Sequence, residues 1–124
     1  MTKLDYELTA EFNKDFKKLL KRYKTLEDDF NRMKRFAIET CYLNGIDNGS
    51  IVPIEGFCAN TYKSNKVRKF ACASLKGGSA SGIRVIFVHE LEENKITFIE
   101  IYYKGDKENE DRARLQEFID GLNE

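Results

Sequence analysis

Three runs rich in β-branched and aromatic residues, Val67 to Leu75, Ile83 to Glu90 and Ile96 to Tyr103, follow one another with only short gaps between them. A parallel return needs a crossover of a dozen residues or more, so strands this close must pair as an antiparallel meander. Gly77, Gly78 and Gly82 occupy the first gap, and "LEEN" makes the second a tight turn. The meander is the frame on which the rest of the chain has to pack.

Before it, the apolar period changes. In "KLDYEL" the residues Leu4, Tyr6 and Leu8 alternate with polar ones, the period of a half-buried strand. From Ala10 to Tyr23 the stripe Phe12, Phe16, Leu19, Leu20 and Tyr23 has helical spacing, with Thr9 placed as N-cap. Thr25 and Asp28 resemble a capping box opening a second helix, whose stripe Leu26, Phe30, Met33, Ala37 and Cys41 runs to "NG" at 44 and 45. The two helices are expected to form an antiparallel hairpin. Residues 44–65 hold Gly45, Gly49, Gly56 and the only proline, which predicts a long connection with a short extended piece at Ser50 to Ile54. A last helix, Glu110 to Leu122, presents Leu115, Phe118, Ile119 and Leu122 on one side. The expected fold is one α+β domain, residues 1–124: an antiparallel sheet packed against an N-terminal helical hairpin and a C-terminal helix, in the order β-α-α-β-β-β-α.

Charge is balanced overall, with 21 basic and 21 acidic side chains, but it is unevenly placed. Residues 56–89 carry Lys63, Lys66, Arg68, Lys69, Lys76 and Arg84 and no acid, whereas residues 90–124 carry five basic and eleven acidic groups. Folding the meander gathers the unopposed cations on one region of a sheet. Such a patch suits a phosphate backbone, and the Gly-rich gap allows close approach by backbone N–H groups. The competing reading is a set of solvated strand ends.

Other chemistry is narrowed by what the chain lacks. Gly77 to Gly82 is followed by Ile83 and Arg84, so the P-loop spacing is absent. His89 is the only histidine, which leaves no histidine pair for acid and base work, and any transfer chemistry falls to Lys, Arg, Tyr and carboxylates. Cys41, Cys58 and Cys72 have neither disulfide nor zinc spacing, and no metal or other cofactor is expected. Cys41 and Cys72 are expected to behave as small buried hydrophobes. No run approaches a membrane span and no apolar leader precedes Lys3, so a reduced, cytoplasmic location without membrane contact is the expectation.

The order of elements, together with "VRKFACAS", the small-residue gap, "GIRVIFVHE", "KITFIEIYYKGDKENED" and the closing helix, resembles the RelE/ParE superfamily of type II toxin–antitoxin toxins, closest to the HigB/RelE-like branch. The resemblance is carried by residues 66–120. It implies a metal-independent endoribonuclease that cuts messenger RNA on the ribosome by attack of the nucleotide's own 2′-hydroxyl, and a cognate antitoxin that covers its basic face. Carried onto this sequence, it assigns catalytic, phosphate-stabilising or proton-transfer roles to Lys69, Lys76, Arg84, Tyr102 and Lys104, and RNA contacts to Lys66, Arg68, Tyr103 and Lys107. Two departures stand out. Ala71 and Cys72 occupy positions where many relatives carry another basic residue, and no tyrosine follows Lys107. ParE-like members share the scaffold but inhibit DNA gyrase, so a non-nucleolytic inhibitor or an inactive antitoxin-binding relative is the alternative.

Overall fold

The computed structural model describes residues 3–47, 49–75 and 81–123. Strand β1 (Asp5–Leu8) is followed by helix α1 (Ala10–Arg22) and helix α2 (Leu26–Met33). A π-helical segment (Lys34–Glu39) carries α2 without a break into the short α3 (Thr40–Tyr42). Four strands follow, β2 (Ile51–Cys58), β3 (Tyr62–Val67), β4 (Ile83–Glu90) and β5 (Lys95–Tyr103), and then helix α4 (Arg112–Leu122). They build one sheet in the order β1-β5-β4-β3-β2. All neighbours are antiparallel except β1, which closes against β5 in parallel. The α+β class and the N-terminal helices stand as expected.

Each helix starts where its local chemistry permits. The Thr9 hydroxyl accepts from the Phe12 N–H at 3.1 Å, while Glu11 in the first turn and Lys21 and Arg22 in the last complement the α1 dipole. Asp111 caps α4 by accepting from the Arg114 N–H at 3.0 Å. Thr25 departs from the capping box. Its hydroxyl donates to Asp29 at 2.7 Å and accepts from the Ser74 N–H at 3.0 Å, joining the turn between the helices to the segment after β3.

The two faces of the sheet carry separate cores. Phe12, Leu26, Phe30 and Ile38 from the helices bury against Val67, Val85, Phe87, Phe98 and Ile101. Phe98 is the hub, with ring centroids of Phe12, Phe30 and Phe87 at 5.6, 4.9 and 6.3 Å. On the opposite face, Leu115 and Ile119 of α4 cover Ile54, Ile86, Val88, Ile99 and Tyr102. Cys72 is buried, as expected, whereas Cys41 is only partly so.

Two expectations about strands are corrected. The run Val67 to Leu75 is not a continuous strand: β3 ends at Val67, Arg68 still donates to the Ser50 carbonyl at 2.8 Å and Phe70 makes a single bridge. Farther on, the Ala73 and Ser74 N–H groups bond to the side chains of Asp29 and Thr25 rather than to a ladder. Residues 44–65, expected as a connection with a short extended piece at Ser50 to Ile54, contain all of β2, of which that piece is the first part, and most of β3. Pro53 and Gly56 disguised β2, which lies at the sheet edge where proline is tolerated and carries a register shift between Pro53 and Cys58. β3, "YKSNKV", is polar; its Asn65 is buried and bonds to the Tyr42 hydroxyl at 3.3 Å. No helix among the described residues is long and apolar enough to cross a membrane.

Candidate nucleic-acid interface

The site follows from strand alternation. On β4 the residues Ile83, Val85, Phe87 and His89 face the N-terminal helices, so Arg84 points to the face that α4 covers only in part. β5 would place Tyr102 on the wrong side if its alternation were unbroken. Instead Ile86 pairs with Glu100 and Phe87 with Phe98, so Ile99 bulges out of the ladder and the phase of everything after it shifts. Its carbonyl accepts from Arg114 at 3.1 Å. Beyond the bulge Tyr102 stands directly opposite Arg84, and Tyr103 packs on Tyr23 on the other face.

These strands and the loops around them enclose an open cleft of about 540 Å³ lined by Lys66, Arg68, Lys69, Arg84, Tyr102 and Lys104, with Glu108 and Asn109 at its wall. Among the described residues, five cations and one carboxylate line it. Arg84 is held in place by its own neighbours, its guanidinium donating to the carbonyl of Arg68 at 3.1 Å and of Ile83 at 3.3 Å. Lys66 is answered from below by Glu110, whose side chain is buried and whose Oε1 lies 2.5 Å from the ammonium. Arg112 donates to the other oxygen at 3.0 Å. Burial alone would raise the Glu110 carboxyl, but the two cations outweigh it and hold the group below its ordinary value. Arg68, Arg84 and Lys104 contribute positive field at the same opening.

Tyr102 is almost fully buried. Its burial, with Glu110 and Glu100 nearby, pushes the phenol up to about 12 against the opposing pull of Arg84. At neutral pH it is a proton donor. Lys107 pairs with the buried Glu100 and sits 5.2 Å from the centre of the Tyr102 ring.

Of the residues singled out from sequence, Lys66, Arg68, Lys69, Arg84, Tyr102 and Lys104 come together in this cleft. Lys69 does so from the segment after β3 and not from a strand. Tyr103 and Lys107 do not line it, and Lys76 lies outside the described residues. His89 is buried, its Nε2 2.8 Å from Asn94 Oδ1 and its ring 4.4 Å from that of Tyr42, away from the cleft. Among the described residues no three His, Cys, Asp or Glu side chains assemble as a metal site. Sequence reasoning passed over Glu100, Glu108, Asn109 and Glu110. The acid-rich character of residues 90–124 was the available signal, because the structure sets two of those acids under the cleft.

A partly parallel sheet with helices from the N-terminus on one face and a C-terminal helix on the other defines the class of fold. Within it, the chain is similar to a chain of the archaeal RelE–RelB complex from Pyrococcus horikoshii OT3, with a TM-score of 0.52 and 12% sequence identity over 84% of this chain and 98% of that one. At that identity the likeness is one of fold. No family model and no curated protein matches the sequence.

Proposed function

We propose that this protein is the toxin of a type II toxin–antitoxin module and acts as a ribosome-dependent mRNA endonuclease. The observation that carries the reading is the convergence of five cations and one protonated tyrosine on a single cleft. The shared fold with a chain of the RelE–RelB complex supports it.

In this reading Arg84, Arg68 and Lys69 bind the phosphate of a single strand and spread the charge of the pentavalent transition state. The strand's 2′-hydroxyl gives its proton to solvent water and attacks the adjacent phosphorus, the bond to the 5′ oxygen breaks, and a 2′,3′-cyclic phosphate remains. Tyr102, kept protonated by its surroundings, gives its proton to the leaving 5′ oxygen, and Lys104 neutralises charge at the mouth of the cleft. A partner protein with an acidic segment would cover the same cations, as expected of a cognate antitoxin.

The test is primer extension on messenger RNA from a purified translation mixture containing wild-type protein or Arg84→Ala. Cuts within translated codons that vanish in the variant support the endonuclease. Intact transcripts with a wild-type protein that still stops growth and induces a DNA-damage response would replace it with the gyrase-type inhibitor.

A further inference from the structure

A second cleft, of about 330 Å³, shares Lys69 with the cationic one and is lined by Asp29, Arg32, Met33, Phe36 and Ser50. We propose that it receives a nucleobase flanking the phosphate held at Arg84, with Phe36 as stacking platform; this rests on the RNA-cleaving reading above.

Phe36 is 61% exposed, more than any other large apolar side chain among the described residues. It lies in a helix whose Met33, Ala37 and Ile38 are buried. The local cause is the π-helical segment Lys34–Glu39, in which each turn takes up an extra residue and the apolar stripe loses its phase. The Thr40 hydroxyl donates to the Arg35 carbonyl within this segment at 3.0 Å. An aromatic ring kept in water at the rim of a cleft that adjoins a cationic cleft matches the way single strands are bound, by backbone charge beside an aromatic on which a base stacks. The Arg35 guanidinium lies 5.7 Å from the ring centre and adds positive charge at the rim.

The floor of the cleft is polar and already paired. Asp29 is buried, its Oδ2 accepts from Thr25 at 2.7 Å and from the Ala73 N–H at 3.1 Å, and its Oδ1 pairs with Arg32 at 3.4 Å. The subsite therefore holds a base by stacking on Phe36 and not by reading its edge.

The experiment compares cleavage maps of wild type, Phe36→Ala and Phe36→Tyr in the translation mixture. We expect Phe36→Ala to lower cleavage roughly tenfold, with Phe36→Tyr unchanged. Because the chain has no tryptophan, Phe36→Trp carries a single indole. Its fluorescence should be quenched by a 2′-O-methyl hexa-adenylate, and not when Arg84→Ala is added. If wild type and Phe36→Ala cut alike, or if the oligonucleotide binds in an Arg84-dependent way without quenching, the subsite is refuted and the cationic cleft stands. A Phe36→Ala protein that keeps its cleavage pattern but loses a protein partner assigns the cleft to protein docking and overturns the proposal. No cleavage by wild type removes both readings.

Discussion

Arg84 on β4 and Tyr102 on β5 are direct cross-strand partners on the open face of the sheet, one fixed by backbone carbonyls and the other by burial. Removing the guanidinium takes away charge without touching either core. We expect Arg84→Ala to reduce RNA cleavage by about 100-fold, the cost typical of losing one transition-state donor, while shifting the melting temperature little. Arg84→Lys should recover only part of the loss, because a point charge does not reproduce the planar fork. Cleavage assays beside thermal melts separate the two effects.

The phenol of Tyr102 keeps its proton until pH approaches about 12. Activity that depends on it as an acid should show no decline from tyrosine ionisation between pH 7 and about 11, on whichever part of that range the fold survives. Tyr102→Phe should lower the cleavage rate with little change in RNA affinity. A fall in the wild-type rate near pH 10, absent in the variant, would show an ordinary phenol instead.

Glu110 joins the acid-rich C-terminal segment to the basic segment through Lys66 and is also met by Arg112. Its carboxyl is depressed in the fold, so the stability it contributes is fully present above its unfolded value near 4.5. That contribution is lost as pH falls through the depressed folded value. Urea unfolding between pH 7 and pH 3 should show a smaller acid loss for Glu110→Gln than for wild type. At neutral pH, Glu110→Ala leaves Lys66 partly buried without its partner and should cost about 2 kcal/mol.

Asn94 sits in the turn between β4 and β5 with φ of 51°; its Oδ1 accepts from His89 Nε2 at 2.8 Å, and its Nδ2 donates to the Lys3 carbonyl at 3.1 Å. The left-handed backbone suits Asn and Gly. Asn94→Gly should therefore lose only the side-chain bonds, whereas Asn94→Ala should add backbone strain and cost about 1 kcal/mol more. Denaturant midpoints of the two variants give the comparison directly.

Gly82 enters β4 with φ of 91°, and a Cβ there would meet Tyr103 Cε1 at 3.0 Å. Its carbonyl also receives the Lys104 N–H at 2.8 Å. Gly82→Ala should destabilise the protein by about 2 kcal/mol through the disfavoured φ and the displaced ring. Since Lys104 hangs from the same contact, RNA binding should weaken with stability in this variant, unlike in Arg84→Ala.

Periodicity in the chain was sufficient for both helical stripes, the N-terminal strand, β4, β5 and α4, because each buries one face whose spacing is written locally. It was sufficient also for the basic character of the segment that contributes Lys66, Arg68, Lys69 and Arg84. Only the first part of β2 was legible, as the extended piece Ser50 to Ile54, because Pro53 and Gly56 read as loop signals; β3 was hidden because "YKSNKV" has no apolar alternation, and its ladder comes from neighbours. That residues 73 and 74 do not extend a strand was decided by Asp29 and Thr25, more than 40 residues away in sequence, which take the backbone donors a ladder would need. The same holds for the cleft. Whether Tyr102 or Tyr103 faces Arg84 depends on one bulged residue, Ile99, and the burial of Glu110 beneath Lys66 depends on where α4 docks. Composition and spacing specify which side chains an element carries and which share its face. Register, bulges and the pairing of distant charges arise only when the elements compete for the same hydrogen bonds and the same buried space, and that competition is resolved by the tertiary structure alone.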